Sequence, residues 1–380
     1  MNDKNWLPVI CLAMAGFIFV TTELMPIGLL PDIARDLGKT EAFTGLLVTV
    51  YAWSVALTSL PLTMLVSRMN RRTLLLILLS CFTLSQWLAA AAPSFGLLLA
   101  ARLMTSICHA LFWSVVPPLA VKVAPGHGTT KALSLMASIT SLASVLGMPI
   151  GTIIGQHLGW RATFAIIGMM SLTFTLVLYK FLPSTPGRQG NQADKAPPPW
   201  RNPALVRIYV LTALTVGGHF TAFTYMAPLL AHSGGFSPSA IAFLLLTLGG
   251  AGIVGNLIAS RNVDIHPKAS LMTSLPLLGL CLLAAQSAAS FTLGAVLLCL
   301  VWGASMSATT LMYQTTVIKK AAVPDMANSL YSAIFNVGIG GGALMGNKIF
   351  NASGISAVNY GGAVFVIAAI IVAAATLKRS

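Results

Sequence analysis

A lone carboxylate stands inside an apolar run of this chain. Glu23 falls within Leu7 to Leu30, a stretch that is apolar apart from a few small polar residues and long enough to cross a bilayer as a helix. The other acidic residues lie outside such runs. A carboxylate at that depth is costly in lipid, so such groups face a cavity and serve transport or proton traffic. Low dielectric disfavours the ionised form, which brings protonation within reach of physiological pH. The alternative is a Glu permanently paired with an Arg or a His, tying helices together.

A second polar feature is a stripe. Arg102, Ser106, His109 and Trp113 are spaced i, i+4, i+7 and i+11 and share one helical face. A cation, a hydroxyl, an imidazole and an indole in line belong toward a bundle interior. Arg102 can form a charge-assisted pair with a carboxylate such as Glu23, in a structural or gating role rather than in contact with a solute. His109 changes charge near neutral pH, and it either carries protons or ties helices together. His219, beside two glycines, either lines a cavity or packs with one hydrogen bond. Tyr51, Gln86, Asn256, Tyr313, Gln314, Tyr331 and Asn336 are further polar residues in apolar spans. Any of them can hydrogen-bond a polyhydroxyl solute, and Tyr51, Gln314 and Asn336 are the candidates taken forward with Trp113, His219 and Tyr225. Most lone Asn and Gln residues in such helices instead join helix to helix. The run Gly147-Met-Pro149-Ile-Gly151-Thr-Ile-Ile-Gly155 has small residues at four-residue spacing and a proline. It predicts a bent, closely packed helix, suited to a rocking interface or to inert packing.

The elements that must position these groups follow from composition. Of 380 residues, 56% are hydrophobic and 8% charged, against about 25% charged in soluble domains. Long uncharged gaps, such as Arg72 to Arg102 and Lys131 to Arg161, recur along the chain. Two double-length gaps are split by loop-like stretches, Ala231–Ser239 and Ala285–Ser290. The pattern predicts an all-α membrane protein of about twelve transmembrane helices. They fall roughly at Trp6–Leu30, Phe43–Val66, Thr73–Ala91, Phe95–Val121, Ala132–Gln156 and Ala162–Phe181. The second set is Ala204–Leu230, Ala240–Ser260, Ala269–Ala285, Phe291–Val317, Ala327–Phe350 and Ala357–Thr376.

A Pro-, Gly- and charge-rich stretch is expected to be an extended, mobile cytoplasmic linker over 183–203. It separates six-helix bundles at 1–182 and 204–380. The halves echo each other. An offset of 195 carries Ala132, Gly147 and Gly151 onto Ala327, Gly342 and Gly346. An offset of 202 carries Gly16, Thr22 and Pro26 onto Gly218, Thr224 and Pro228, which sets Tyr225 in the place of Glu23. Repeated halves that rock about a midplane site are the usual architecture of secondary transporters. A phenol opposite the acid suggests one proton site, with the other half binding solute.

The net charge of +14 is a topology signal rather than a nucleic-acid signal. With an even helix count and an inside amino terminus, 17 of the 22 basic residues fall on the cytoplasmic side. They are Lys4; Arg68, Arg71 and Arg72; Lys122 and Lys131; Lys180, Arg188, Lys195, Arg201 and Arg207; Arg261 and Lys268; Lys319 and Lys320; Lys378 and Arg379. Both termini are then cytoplasmic, and contact with membrane lipids is a secondary role of these charges. The five cysteines read as buried hydrophobes, not disulfides or metal ligands. The amino terminus does not read as a cleaved signal peptide.

Several runs then resemble a known family. They are Phe17-Ile-Phe-Val-Thr-Thr-Glu23, Tyr51-Ala-Trp-Ser-Val-Ala-Leu57, His109-Ala-Leu-Phe-Trp-Ser114, Ala132-Leu-Ser-Leu135, Gly155-Gln-His-Leu-Gly-Trp-Arg161, Leu248-Gly-Gly-Ala-Gly-Ile253 and Ile334-Phe-Asn-Val-Gly-Ile-Gly340. Along its whole length the chain resembles the major facilitator superfamily, in its twelve-helix drug:proton antiporter branch, with the nearest likeness to bacterial sugar efflux transporters. The run from Gly147 to Gly155 is similar to that branch's antiporter motif, which marks export.

The resemblance implies proton-coupled efflux of small neutral sugars, arabinose-like or galactoside-like, by a monomer in the bacterial inner membrane. The proton gradient takes the place of a cofactor. The alternatives are a multidrug or nucleoside exporter on the same fold and an uncoupled facilitator. The loop after the second helix departs from the pattern. Ser67-Arg68-Met-Asn70-Arg71-Arg72 keeps the basic residues but has Ser67 for the family's acid and Asn70 for its glycine. Asn tolerates a left-handed turn, so the loop shape is expected to survive, while the ion-pair gate that the resemblance attributes to that acid lacks its carboxylate at Ser67. No metal-spaced cluster, paired acids or activated nucleophile suggests an enzyme, and no G-x-x-x-x-G-K-[ST] run suggests ATP hydrolysis.

Overall fold

Apolar stretches of this length can satisfy their backbone groups within lipid only as helices or closed barrels, and the chain is helical. The structure is a computed structural model that describes residues 6–39, 41–44, 46–187, 197–263 and 265–377. Five of the basic residues counted above, Lys4, Arg188, Lys195, Lys378 and Arg379, lie outside the described residues.

Each predicted span falls on a helix. The first six are Leu7–Asp36, Leu46–Leu65, Arg71–Ala90, Phe95–Val123, Thr129–Leu158 and Trp160–Phe181. The second six are Pro203–Phe223, Pro238–Asn262, Pro267–Ala288, Thr292–Lys320, Pro324–Ser353 and Ile355–Leu377. Among the described residues, ten helices are long and apolar enough to span a bilayer; the second and eleventh are not among the ten. The ends are set by caps rather than by hydropathy. Asn202 and Ser237 each accept a backbone N–H at the start of the seventh and eighth helices, and each is followed by proline.

Two predicted loops are shorter than expected. The seventh helix breaks at Thr224 and Tyr225, and a further helix, Met226–Gly234, covers half of the predicted loop at Ala231–Ser239. The ninth helix runs on to Ala288, into the loop expected over Ala285–Ser290.

The chain divides into two compact units. One is Met1–Pro197 with Ala322–Ala333; the other is Pro198–Ala321 with Ile334–Ser380. The first turns of the eleventh helix therefore group with the first unit. Within the first unit, the first helix packs on the fifth and sixth, the second and third on the fourth, and the third on the sixth. Within the second, the seventh packs on the twelfth, the eighth and ninth on the tenth, and the ninth on the twelfth. All but the first-on-fifth pairing match when six is added to each helix number. Gly159 and Gly354, again 195 apart, end the fifth and eleventh helices with φ of 83° and 82°, a left-handed conformation that glycine takes without strain.

Candidate functional site

The first unit gathers its polar side chains from four helices. The first brings Thr22 and Glu23, the second Tyr51 and Ser54, the third Ser85 and Gln86, and the fourth the predicted stripe. Helical periodicity puts the stripe on one face, and that face is turned inward: Arg102, Ser106 and His109 are buried and Trp113 is half-buried. The Tyr51 hydroxyl lies 2.8 Å from His109 Nδ1. His109 Nε2 lies 3.8 Å from a Glu23 carboxylate oxygen, within ion-pair range but longer than a hydrogen bond. The Glu23 side chain is 28% exposed and that of His109 5%, so the carboxylate is the more exposed of the two.

Arg102 is not paired with Glu23. Its Nη1 donates to the Thr22 carbonyl at 2.8 Å, and its guanidinium lies 4.2 Å from the centre of the Tyr51 ring. Its Nε and Nη2 find no hydrogen-bond partner, so a desolvated cation is held one residue from the acid. Ser106 donates to Ser54 at 2.8 Å, and Gln86 donates to Thr105, which also bonds Ser85. Phe19 stacks on Phe112 and meets His109 edge-on. Trp113 sits 6.1 Å from His109 by ring centres, and a Cβ on Gly16 would lie 3.4 Å from its indole. Tyr51, His109 and Glu23 thus lie in series, joined by one hydrogen bond and one longer ion-pair contact.

The fifth helix packs closely, as its glycines predict, and its neighbour at those glycines is the first helix. A Cβ on Gly147 would lie 2.7 Å from Thr21 Oγ1, and one on Gly151 2.8 Å from Met25 Cβ. The side chain of Pro149 lies outside the described residues. In the second unit, Gly342 abuts Thr221 and Gly346 abuts the Tyr225 ring. The glycines matched at an offset of 195 thus face corresponding helices: Gly147 and Gly151 meet the first helix, and Gly342 and Gly346 meet the seventh and the turn after it. Of the residues matched at 202, Gly16 faces Trp113 on the fourth helix, whereas Gly218 faces Gly362 on the twelfth.

The second unit's candidates come from the seventh, tenth and eleventh helices and from the break after the seventh. His219 is buried and accepts from Trp302 Nε1 at 2.8 Å. Tyr225 stacks on Phe350. Gln314 and Asn336 are half-buried on the tenth and eleventh helices. The sequence reading missed Trp302; its signal was an indole in a span otherwise free of charge.

The loop after the second helix is built differently from expectation. Asn70 has φ −58° and ψ 130°, not a left-handed turn. It caps the third helix, accepting from the backbone of Arg72 and Thr73, and donates to Ser184. Its cap geometry outweighs its tolerance of positive φ. Arg71 is buried, donates to the Ser67 carbonyl at 2.9 Å and pairs with Asp325 in the first turn of the eleventh helix. A helix N-terminus favours a carboxylate there. Arg72 donates to the Tyr179 carbonyl, and Arg68 is exposed. The acid absent at Ser67 is thus supplied to the loop by Asp325, which the sequence reading did not single out.

The sequence pattern of the Major Facilitator Superfamily matches residues 12–324. Solved structures with a similar fold include the Major Facilitator Superfamily transporter FucP in the outward conformation, at 14% identity and TM-score 0.78, covering 97% of this chain and 98% of that one. The proton:xylose symporter XylE bound to 6-bromo-6-deoxy-D-glucose matches at 14% identity and TM-score 0.78, over 100% and 96% of the two chains. The human organic anion transporter MFSD10 (TETRAN) matches at 15% identity and TM-score 0.75, over 98% and 100%.

Proposed function

The chain belongs to the major facilitator superfamily and is a multi-pass membrane transporter rather than an enzyme, and we propose that it exports small sugars or related neutral solutes in exchange for protons. One observation carries this reading: a part-exposed carboxylate, Glu23, lies 3.8 Å from a buried imidazole that is itself bonded to the Tyr51 phenol. Glu23 takes up a proton on the outer side and releases it inward, and that cycle resets the carrier. Arg102, fixed on the Thr22 carbonyl, supplies the positive field beside the acid. The solute is held by hydrogen-bonding and aromatic groups drawn from Trp113, Tyr51, His219, Tyr225, Asn336 and Gln314. The sugar class draws support from the fold shared with the proton:xylose symporter XylE. On this reading the protein works as a monomer in a bacterial inner membrane with both termini cytoplasmic.

The test is transport by purified protein in proteoliposomes, with and without an imposed pH gradient. The panel holds D-xylose, L-arabinose and galactosides beside drugs and nucleosides. Sugars are expected to be exported down the gradient-driven route. Glu23→Gln should abolish that export while leaving binding measurable. Full coupled export by the variant removes Glu23 from the mechanism. Preference for drugs or nucleosides would replace the substrate class, and indifference to the gradient would make the protein an uncoupled facilitator.

A further inference from the structure

Two imidazoles lie buried in these helices, and their partners differ in kind. His109 Nδ1 meets a phenol, which both donates and accepts, so that bond survives whether or not the nitrogen carries a proton. His219 Nδ1 meets the indole Nε1 of Trp302 at 2.8 Å, and an indole N–H only donates. Nδ1 of His219 is therefore the bare, accepting nitrogen, and the ring's proton sits on Nε2. A second proton would set N–H against N–H and leave a buried indole donor unsatisfied.

The surroundings hold this arrangement. Trp302 is fully buried, and His219 stacks on Phe223 at 5.0 Å and meets Phe220 edge-on at 4.9 Å. Charged groups on the packed helices are distant along their axes. Arg207 lies three turns before His219, roughly 18 Å away, and Lys319 lies roughly 25 Å beyond Trp302. On the eleventh helix, Lys348 is roughly 9 Å along from Gly342, which abuts Gly217 and Thr221, and Asp325 lies roughly 25 Å before that glycine. The twelfth, whose Gly362 abuts Gly218, offers Tyr360 as its titratable group among the described residues. The nearer tyrosines are engaged elsewhere, Tyr225 on Phe350 and Tyr313 on Thr215. The hydrogen bond to Trp302 uses Nδ1 of His219 and leaves Nε2 for another partner.

We propose that Trp302 fixes His219 as a neutral imidazole protonated on Nε2, a permanent hydrogen-bond donor to an oxygen of the transported solute and not a carrier of the coupling proton. Trp302 is then a positioning residue. The ligand class is a neutral solute with hydroxyl, ether or carbonyl oxygens. This inference rests on the transport reading above for its solute, but not for its tautomer.

The experiment uses the full chain in lipid bilayers with nitrogen-15 histidine, His219 being assigned by the signals lost in His219→Gln. Across about pH 5 to 8, Nε2 is expected to be protonated and Nδ1 bare, and Trp302→Phe should let the ring mix tautomers or titrate. A proton on Nδ1 in the unaltered protein, or an imidazolium within that range, overturns the proposal. A second arm follows exchange of labelled D-xylose. Gln places an amide N–H near the position of Nε2–H. His219→Gln should therefore raise KM less than His219→Leu, which should raise it about tenfold, and should keep its dependence on the pH gradient. Loss of gradient coupling in His219→Gln with exchange intact would make His219 a proton carrier and overturn the assignment. Absence of sugar exchange in the unaltered protein would sink the transport reading, while the nitrogen spectra still decide the tautomer.

Discussion

Replacing Asp325 and Arg71, singly and together, measures what the buried ion pair at the start of the eleventh helix contributes. The side chains are 11% and 4% exposed, so solvent screens their interaction little. Asp325→Asn leaves Arg71 bonded to the Ser67 and Val66 carbonyls but without a counter-charge, and its Nε has no partner in either case. Removing one member of such a pair costs about 3–5 kcal/mol. The same cost is expected for Arg71→Met, which strands the carboxylate.

The pair itself need not be stabilising. Asp325 lies before the span that begins near Ala327, and burial pushes its carboxyl above the usual carboxylate range, against the pull of Arg71 and Lys122. A carboxyl raised on folding adds stability that is fully present below its unfolded pKa, about 4, and is lost as pH rises through the folded value. At neutral pH, desolvation therefore outweighs attraction. The double variant Arg71→Met/Asp325→Leu should match the unaltered protein or exceed it by about 1–4 kcal/mol, with its advantage growing as pH rises. Denaturant unfolding in lipid nanodiscs, read by tryptophan fluorescence at several pH values, completes the double-mutant cycle. Single variants within about 0.5 kcal/mol of the unaltered protein, or a double loss equal to the sum of the singles, would show that the two groups do not interact.

Two further outcomes follow from the first unit and the glycine rows. Arg102→Met removes a buried cation with two unpartnered nitrogens, so stability should hold or rise while gradient-driven export is lost; a loss above about 3 kcal/mol in unfolding measurements would mean that the guanidinium holds the bundle together. Gly147→Ala puts a Cβ 2.7 Å from Thr21 Oγ1 and 3.0 Å from its Cα and should cost about 1–3 kcal/mol. Gly340→Ala, which meets nothing within 4 Å, should be neutral or gain up to about 1 kcal/mol from helix propensity, and equal melting of these two variants would contradict the packing described.

The spans were legible because charge is nearly absent from them, and a gap in charge needs no knowledge of neighbours. The fourth-helix stripe was legible because a 3.6-residue period is local. Helix ends were read less well, since capping by Asn202 and Ser237 and the late turn at Gly235 extend or stop helices regardless of hydropathy. Pairings across helices were not legible. Tyr51 with His109, Arg71 with Asp325, and Trp302 with His219 are separated by 58, 254 and 83 residues, and each depends on the register between two helices. Asn70 shows the same limit in reverse: its residue type permits a left-handed turn, but the neighbouring backbone N–H groups of Arg72 and Thr73 give it a cap to make instead.

Partners also distinguish the two units. In the first, a carboxylate lies beside an amphoteric phenol–imidazole pair; in the second, an imidazole is stacked on Phe223 and its acceptor nitrogen is occupied by an indole. A group that must gain and lose a proton needs partners that accept either state, and Tyr51 is such a partner while Trp302 is not. Under the proposed mechanism, a division of labour between halves is therefore written less in the presence of histidine, which both have, than in whether its partner can exchange the roles of donor and acceptor.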